Sequence, residues 1–191
     1  MLAKGHHFPK VTLVAVCDID SGLFAADFRA TEHMAQLLIQ VAGRAGRGDD
    51  KGLVFLQTHQ PGHPLLQTLI AQGYGPFATE LLQERRLMGM PPYGHLALIR
   101  AESTNPKQAS DFLHQVSVAL QATAEQLNVE IWGPAPALMA KKAGRFRFQL
   151  MLRATLRPNL QNMLRFSIQQ VEDNAGHRIK WSLDVDPVTL D

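Results

Sequence analysis

The sequence predicts an α/β protein in which a partial βαβ region precedes a ferredoxin-like β-α-β-β-α-β domain. Three observations predict this class. An apolar, β-branched run, an amphipathic helix pattern and a second apolar run follow one another, as in a strand-helix-strand unit. A cluster of prolines and a glycine at 90–94 then interrupts all periodicity. Beyond it, four strand-like and two helical segments follow in the order of a split βαβ fold.

The first region, residues 1–58, has the pattern of the last part of a doubly wound α/β domain. Residues 11–17 (VTLVAVC) form a continuous apolar run, typical of a strand buried on both faces. Thr31 is the expected N-cap of the following helix. The apolar face of that helix carries Met34, Ala35, Leu38 and Val41. Residues 53–57 predict the second strand, and a complete domain of this class needs more strands than two.

Residues 59–92 predict a helical linker. Pro61 and the run 73–76 (GYGP) interrupt it, and residues 77–88 carry helical spacing. The run 90–94 (MPPYG) ends the pattern, so we expect the second domain to occupy residues 93–191.

The second domain is predicted from its strand and cap signals. Strands are expected at 96–102, 129–132, 145–153 and 179–185. Asn105 followed by Pro106 is an N-cap with proline at the first helical position, and Pro158 marks the start of a second helix. The residues between 132 and 145, rich in Pro, Ala, Lys and Gly, are expected to form a loop.

The run 40–48 (QVAGRAGRG) carries the strongest chemical signal. Arg44 and Arg47 each lie beside glycines, so a phosphate could approach both guanidinium groups and the backbone. Such a site stabilises charge on a transferred phosphoryl group. The alternative is a solvated basic turn at a helix end, where arginine complements the helix dipole.

A second signal is a basic strip in the strand 145–153. Strict alternation places Arg145, Arg147 and Gln149 on one face of that strand. Lys141 and Lys142 in the preceding loop extend the strip, which predicts contact with a phosphate backbone or an acidic peptide. The alternative is an ordinary half-buried sheet with one solvated face.

Composition limits the possible functions. The formal net charge is only +2, but residues 141–180 hold nine Lys or Arg against two acids, which favours a polyanionic or acidic partner. The single cysteine excludes an internal disulfide and a multi-cysteine zinc site, and a reducing cytoplasm is the expected location. No apolar run approaches the ~20 residues that span a bilayer, so no membrane partner is expected.

Other polar clusters predict no additional site. His59 and His63 are four residues apart, but Pro61 between them breaks the helix that would align them, so no metal site is expected. Asp20, with its neighbouring aspartates, is interpreted as a loop or capping residue. The chain has no G-x-x-x-x-G-K-S/T loop and no acidic metal-binding box, so it cannot cradle a nucleotide and Mg²⁺ by itself.

Several of these segments together resemble a known family. Gln40-x-x-Gly43-Arg44-x-x-Arg47 resembles motif VI of superfamily 2 helicases, and residues 1–9 (MLAKGHHFP) resemble a motif V region. Four further segments complete the ordered set: 27–30 (DFRA), 84–86 (ERR), 91–92 (PP) and 183–187 (LDVDP). The set is similar to the C-terminal part of the primosomal protein N′ (PriA) family of replication-restart DNA helicases, over essentially all 191 residues.

The resemblance implies an ATP-dependent 3′-to-5′ DNA helicase, an ATP hydrolase that restarts stalled replication forks by primosome assembly. Residues 1–58 would then be part of a RecA-like helicase lobe two. Arg47 is implied as the arginine finger, with Arg44 also facing the γ-phosphate of ATP. Gln40 and Gly43 would belong to the same nucleotide-sensing motif. Lys4 and Gly5 would couple the ATP state to DNA contact.

The resemblance also implies partners. These are forked or single-stranded DNA, other primosome proteins, and the acidic tail of single-stranded DNA-binding protein at Arg157 and Gln161. ATP and Mg²⁺ are the cofactors of the intact protein, whose zinc-binding cysteines and nucleotide-binding first lobe have no counterpart here. We therefore expect a fragment that lacks ATPase activity alone and binds DNA or a partner. The alternatives are a free-standing basic module for single-stranded DNA or an acidic peptide, and a non-functional truncated product.

Overall fold

A computed structural model describes residues 11–43, 45, 52–175 and 179–190. The chain divides into two compact units, Met1–Glu84 and Arg85–Asp191. Helices and strands occur in both units, which confirms the α/β class. Among the described residues, no helix combines the length and apolarity that a bilayer-spanning segment needs.

The described elements of the first unit follow a strand-helix-strand order. They are β1 (Leu13–Val16), α1 (Asp20–Leu23), α2 (Ala30–Ala42), β2 (Leu53–Leu56), α3 (Pro64–Gln72) and α4 (Tyr74–Leu87), whose last residues pass the unit boundary. β1 and β2 pair in parallel, with Leu13 opposite Leu53 and Val16 opposite Leu56. The predicted strand-helix-strand arrangement is therefore present.

The core of the first unit is built mainly by helices. Its buried side chains are Ile19, Ala35, Leu38, Leu65, Leu66, Leu69, Phe77 and Leu81. Five of these come from α3 and α4, which lie in the segment 59–92 that the sequence predicts as a linker. The two helices pack into this core because each has an apolar face that the α2 face helps to bury.

The start of α2 differs from the expectation. The helix begins at Ala30, and the Thr31 hydroxyl donates to the Gly22 carbonyl at 3.3 Å instead of capping a helix. The preceding turn already satisfies the first amides, because the Asp27 carboxylate accepts from the Arg29 N–H and the Asp27 carbonyl accepts from the Ala30 N–H. Thr31 is therefore not the N-cap.

The second unit has the chain order β-α-β-β-α-β. Its elements are β3 (His95–Ser103), α5 (Pro106–Leu127), β4 (Val129–Lys142), β5 (Arg145–Ala154), α6 (Arg157–Asn174) and β6 (Lys180–Val185). The strands lie in the order β4-β5-β3-β6, and every neighbouring pair is antiparallel. α5 begins as predicted, because the Asn105 side chain accepts a hydrogen bond from the Lys107 N–H at 3.0 Å.

One face of this sheet carries the core. Ile99 of β3 and Leu152 of β5 pack against Leu113 and Leu120 of α5 and Met163 of α6, and all five are at most 1% exposed. The opposite face holds the alternate residues of each strand, which include the arginines of the predicted basic strip.

β4 is much longer than the sequence predicts. It continues to Lys142, through the segment that the sequence predicts as a loop, and pairs with β5 as a hairpin. The pairing register shifts between Trp132 and Ala135 and again between Pro136 and Lys141. These irregularities on an edge strand accommodate the prolines, which cannot donate to a regular ladder.

Candidate functional site

The end of α2 carries the described part of the glycine-arginine motif. Gln40 is exposed on the last turn of the helix. Gly43 follows that turn, and its N–H donates to the Ile39 carbonyl at 2.9 Å. Arg44 and Arg47 of the same run, and Lys4 and Gly5 of the segment 1–9, lie outside the described part of the chain. The nucleotide-related roles of all six residues stay predictions.

Asp20 links the two loops that follow β1 and β2. Its carboxylate accepts hydrogen bonds from the Thr58 hydroxyl at 2.5 Å and from the His59 N–H at 2.8 Å, and His59 Nδ1 lies 2.8 Å from Oδ2. The Thr58 hydroxyl and then the His59 backbone lower the pKa of Asp20. Asp20 therefore holds the two loops together and does not act only as a helix cap. In the sequence, this contact was indicated only by the position of Asp20 just after a strand of a parallel pair.

Arg145 and Arg147 lie on the sheet face predicted for them, but Glu102 of β3 neutralises them in part. Arg147 Nε lies 3.2 Å from Glu102 Oε1, and Arg145 Nε lies 3.9 Å from Oε2. Arg145 Nη2 also donates to the Glu102 carbonyl at 3.1 Å. The two side chains are only 26% and 12% exposed. The expected strip is thus half-buried and ion-paired, and its role in binding stays a prediction.

Lys141 and Lys142 lie at the end of the β4–β5 hairpin, where β4 ends, and not in a loop as expected. Both are exposed, and neither forms an ion pair with a described residue. Lys141 Nζ lies 4.7 Å from the centroid of the Phe146 ring, a cation–π contact. Because residues 131–171 contain no acid, positive charge remains available at this end of the hairpin.

Arg157 and Gln161 begin α6 and lie one helical turn apart on the same face. Both are exposed. The Arg157 side chain is 62% exposed, and its Nη2 lies 3.3 Å from Asp186 Oδ2. An exposed ion pair of this kind is weak. The role of Arg157 and Gln161 in binding a partner stays a prediction.

A cluster around Arg153 was missed by the sequence analysis. Its guanidinium forms a bidentate pair with Glu130, lies 5.1 Å from the Trp132 ring, and donates to the Met88 carbonyl. The hydrogen bonds from Arg153 lower the pKa of Glu130, and the Trp132 indole donates to the same carboxylate at 3.0 Å. Only the cross-strand register, which places Glu130 opposite Arg153, reveals this cluster.

Comparison with known families matches the second unit. Residues 86–188 match the family described as Primosomal protein N C-terminal domain. The chain belongs to this family. The match begins beside the boundary between the two units and covers every strand and helix of the second unit's fold.

Relatives of the family align with the first unit as well. The "Replication restart protein PriA" of Haemophilus influenzae is 50% identical over 190 residues, which cover 100% of this chain. The proteins of the same name from Rickettsia felis and Synechocystis are 37% and 35% identical over 98% and 100% of the chain.

The chain is much shorter than these relatives. It spans 26%, 28% and 22% of the length of the three proteins, respectively. Among solved structures, a de novo designed protein, Foldit4, is similar over 49% of this chain and 97% of its own, with a TM-score of 0.39 and 7% identity. That likeness is too distant to carry an argument.

Proposed function

We propose that this chain is the C-terminal part of a replication restart protein and that it contacts DNA during primosome assembly. The observation that carries the proposal is the 50% identity to the Haemophilus influenzae protein over the whole chain. The exposed lysines at the end of the β4–β5 hairpin support it further, because cationic side chains release counterions when they bind phosphates.

The finer fold assignments are part of the same proposal. We assign the first unit to a RecA-like lobe two and the second to a ferredoxin-like fold. The parallel pair of β1 and β2 on either side of α2 supports the first assignment. The β-α-β-β-α-β order and the four-stranded antiparallel sheet support the second.

In the longer protein, the proposed activity is that of an ATP-dependent 3′-to-5′ DNA helicase. Arg47 is the proposed arginine finger and Arg44 a second γ-phosphate contact, a role in which guanidinium charge stabilises the transition state. Gln40 fits a nucleotide contact because it is exposed where α2 leads into the motif. ATP with Mg²⁺ supplies the phosphoryl group when bound, but this chain has residues for one side of the nucleotide only. We expect no ATP hydrolysis from the chain alone.

The second unit is the proposed site of partner binding. Arg157 and Gln161 suit the acidic tail of single-stranded DNA-binding protein, because both are exposed and Arg157 already contacts a carboxylate. Contacts with other primosome proteins belong to the same proposal. An alternative is a free-standing basic module, which the second unit's own hydrophobic core favours.

Titration of the purified chain with labelled forked and single-stranded DNA tests the proposal. We expect binding that weakens steeply with salt, and a loss of affinity in Lys141→Glu. Arg157→Glu should weaken binding of an acidic peptide and leave DNA affinity nearly unchanged. Affinity that is indifferent to salt and to Lys141→Glu contradicts the DNA contact. DNA-stimulated ATP hydrolysis by the chain alone contradicts an incomplete enzyme.

A further inference from the structure

The tip of the β4–β5 hairpin, residues 136–145, differs from the rest of the sheet in its backbone. Pro136 lies opposite Phe148 and Lys141 opposite Phe146, so residues 137–140 are looped out of the pairing with β5. The hairpin closes through Ala143 and Gly144, which have φ values of 49° and 76°. Both values suit a tight two-residue turn, so the tip projects as a defined bulge followed by a sharp reversal.

The bulge exposes apolar side chains. Leu138 is 49% exposed and Met139 is 44% exposed, whereas Ala137 beside them is 4% exposed and anchors the bulge. Leu and Met are among the side chains that nucleic-acid-binding proteins insert between neighbouring bases, where they contact the base faces. Transferring an exposed apolar pair of this kind out of water lowers the free energy, so a partner that covers the pair is bound more tightly.

Charge at the tip identifies the chemistry of that partner. Lys141 and Lys142 follow the apolar pair after one alanine and are exposed, and no acid occurs between residues 131 and 171. Arg145 and Arg147, by contrast, are held against Glu102. The tip therefore presents two lysines next to an apolar surface, and the hairpin contains no carboxylate near them that would offset their charge.

We propose that this tip binds nucleic acid whose base faces are exposed, with Lys141 and Lys142 on the phosphates and Leu138 and Met139 against a base. This inference rests on the proposed DNA contact and specifies its site and ligand. In a closed duplex the apolar pair can contact a base face only after the bases are unstacked, which costs free energy, so the pair is expected to add affinity on single strands and at the branch point of a fork, where that cost is absent.

Affinities of the full 191-residue chain for single-stranded, forked and relaxed closed circular DNA test the inference. Leu138→Ala/Met139→Ala should lower affinity about tenfold for the first two DNAs and leave that for the closed circle unchanged. Lys141→Gln/Lys142→Gln should weaken binding to all three and reduce the salt slope by about 1.5. If the apolar variant loses affinity for single-stranded DNA alone, the tip binds the single strand. If it loses more affinity for forked DNA, the tip binds the branch point.

Matched variants control for composition and net charge. Val118→Ala shortens a 63% exposed side chain on α5, and Lys107→Gln/Lys180→Gln removes two charges at other exposed positions, of which Lys107 is paired with Asp111. Both should bind within about twofold of the unmodified chain. Thermal melts of all variants should coincide, because each change is at an exposed side chain.

Three outcomes overturn the inference. If the chain binds DNA and the tip variants bind as tightly as the controls, the contact lies elsewhere while the proposed function stands. If the apolar variant weakens binding to the closed circle equally, no base face is involved. If the chain binds no DNA but retains an acidic peptide through Lys141 and Lys142, both the inference and the proposed DNA contact are wrong.

Discussion

The two units differ in how completely their sheets are covered. In the second unit, four strands and two helices enclose a core in which Leu113 and Leu150 are fully buried. In the first unit, the described sheet has two short strands, and Leu53 and Phe55 of β2 are 61% and 60% exposed. The second unit thus buries its own apolar surface, whereas the first leaves part of its sheet in water. We therefore expect the second unit to be the more stable one.

The largest expected effect comes from removing a core side chain of the second unit. Leu113→Ala should destabilise that unit by about 2–5 kcal/mol, because the lost packing leaves a cavity. Both tryptophans, Trp132 and Trp181, lie in the second unit, so tryptophan fluorescence during urea unfolding reports on that unit alone.

Leu66→Ala is the matched change in the first unit, where Leu66 is 2% exposed. It should shift the unfolding monitored by circular dichroism and leave the tryptophan transition in place. One coincident transition, moved equally by either substitution, would show that the two units unfold together. The second unit would then have no separate, higher stability.

A smaller effect is expected at the Arg153 cluster. Because Arg153 lowers the pKa of Glu130, the ion pair stabilises the fold fully above the carboxyl's usual pKa of 4.5 and is lost as pH falls through the lower folded value. Half of the Glu130 side chain is exposed, so solvent screening limits the cost of Glu130→Gln to about 1 kcal/mol at pH 7.

Urea unfolding at pH 7 and below pH 4 measures this difference. The difference in free energy of unfolding between the unmodified chain and Glu130→Gln should become smaller on acidification. Glu172→Gln, at an exposed position on α6, should show almost no gap at either pH. A gap that persists or grows in acid would mean that the carboxylate charge is not the stabilising feature.

The smallest effect is expected from removing the carboxylate charge beside two arginines of β5. Glu102→Gln removes the carboxylate charge beside Arg145 and Arg147 but keeps the Glu102 carbonyl to which Arg145 donates, so affinity for single-stranded DNA should rise by only about two- to fivefold. Fluorescence anisotropy measures this, with Glu125→Gln on α5 as the control for net charge. An equal gain in affinity in both variants would assign the effect to net charge and not to the position of Glu102 beside the two arginines.

Most of the second unit's fold was predictable because its signals are local. The cap at Asn105 and Pro106 and the apolar faces of both helices depend on residues near in sequence. The length of β4 was not predictable, because the register with β5 holds its proline-containing half in place. The predicted N-cap at Thr31 is wrong for a different and local reason: a turn anchored by Asp27, three residues before the first residue of α2, already satisfies the first amides.

The candidate site shows the same limit. The sequence identified the cations of the hairpin and of β5, since alternation and composition are visible along the chain. It did not identify Glu102 or Glu130 as their partners, because the cross-strand register alone brings these acids to Arg147 and Arg153. Sequence therefore predicts which charges exist, and the register decides which of them remain available.

Hydrogen exchange of the full chain with and without forked DNA is the most direct test of the second unit as the DNA-contacting part. Amides of residues 137–145 should gain protection when DNA is added, while those of β1 and β2 should exchange as before. Protection confined to the first unit, or no change at the hairpin tip, would contradict it.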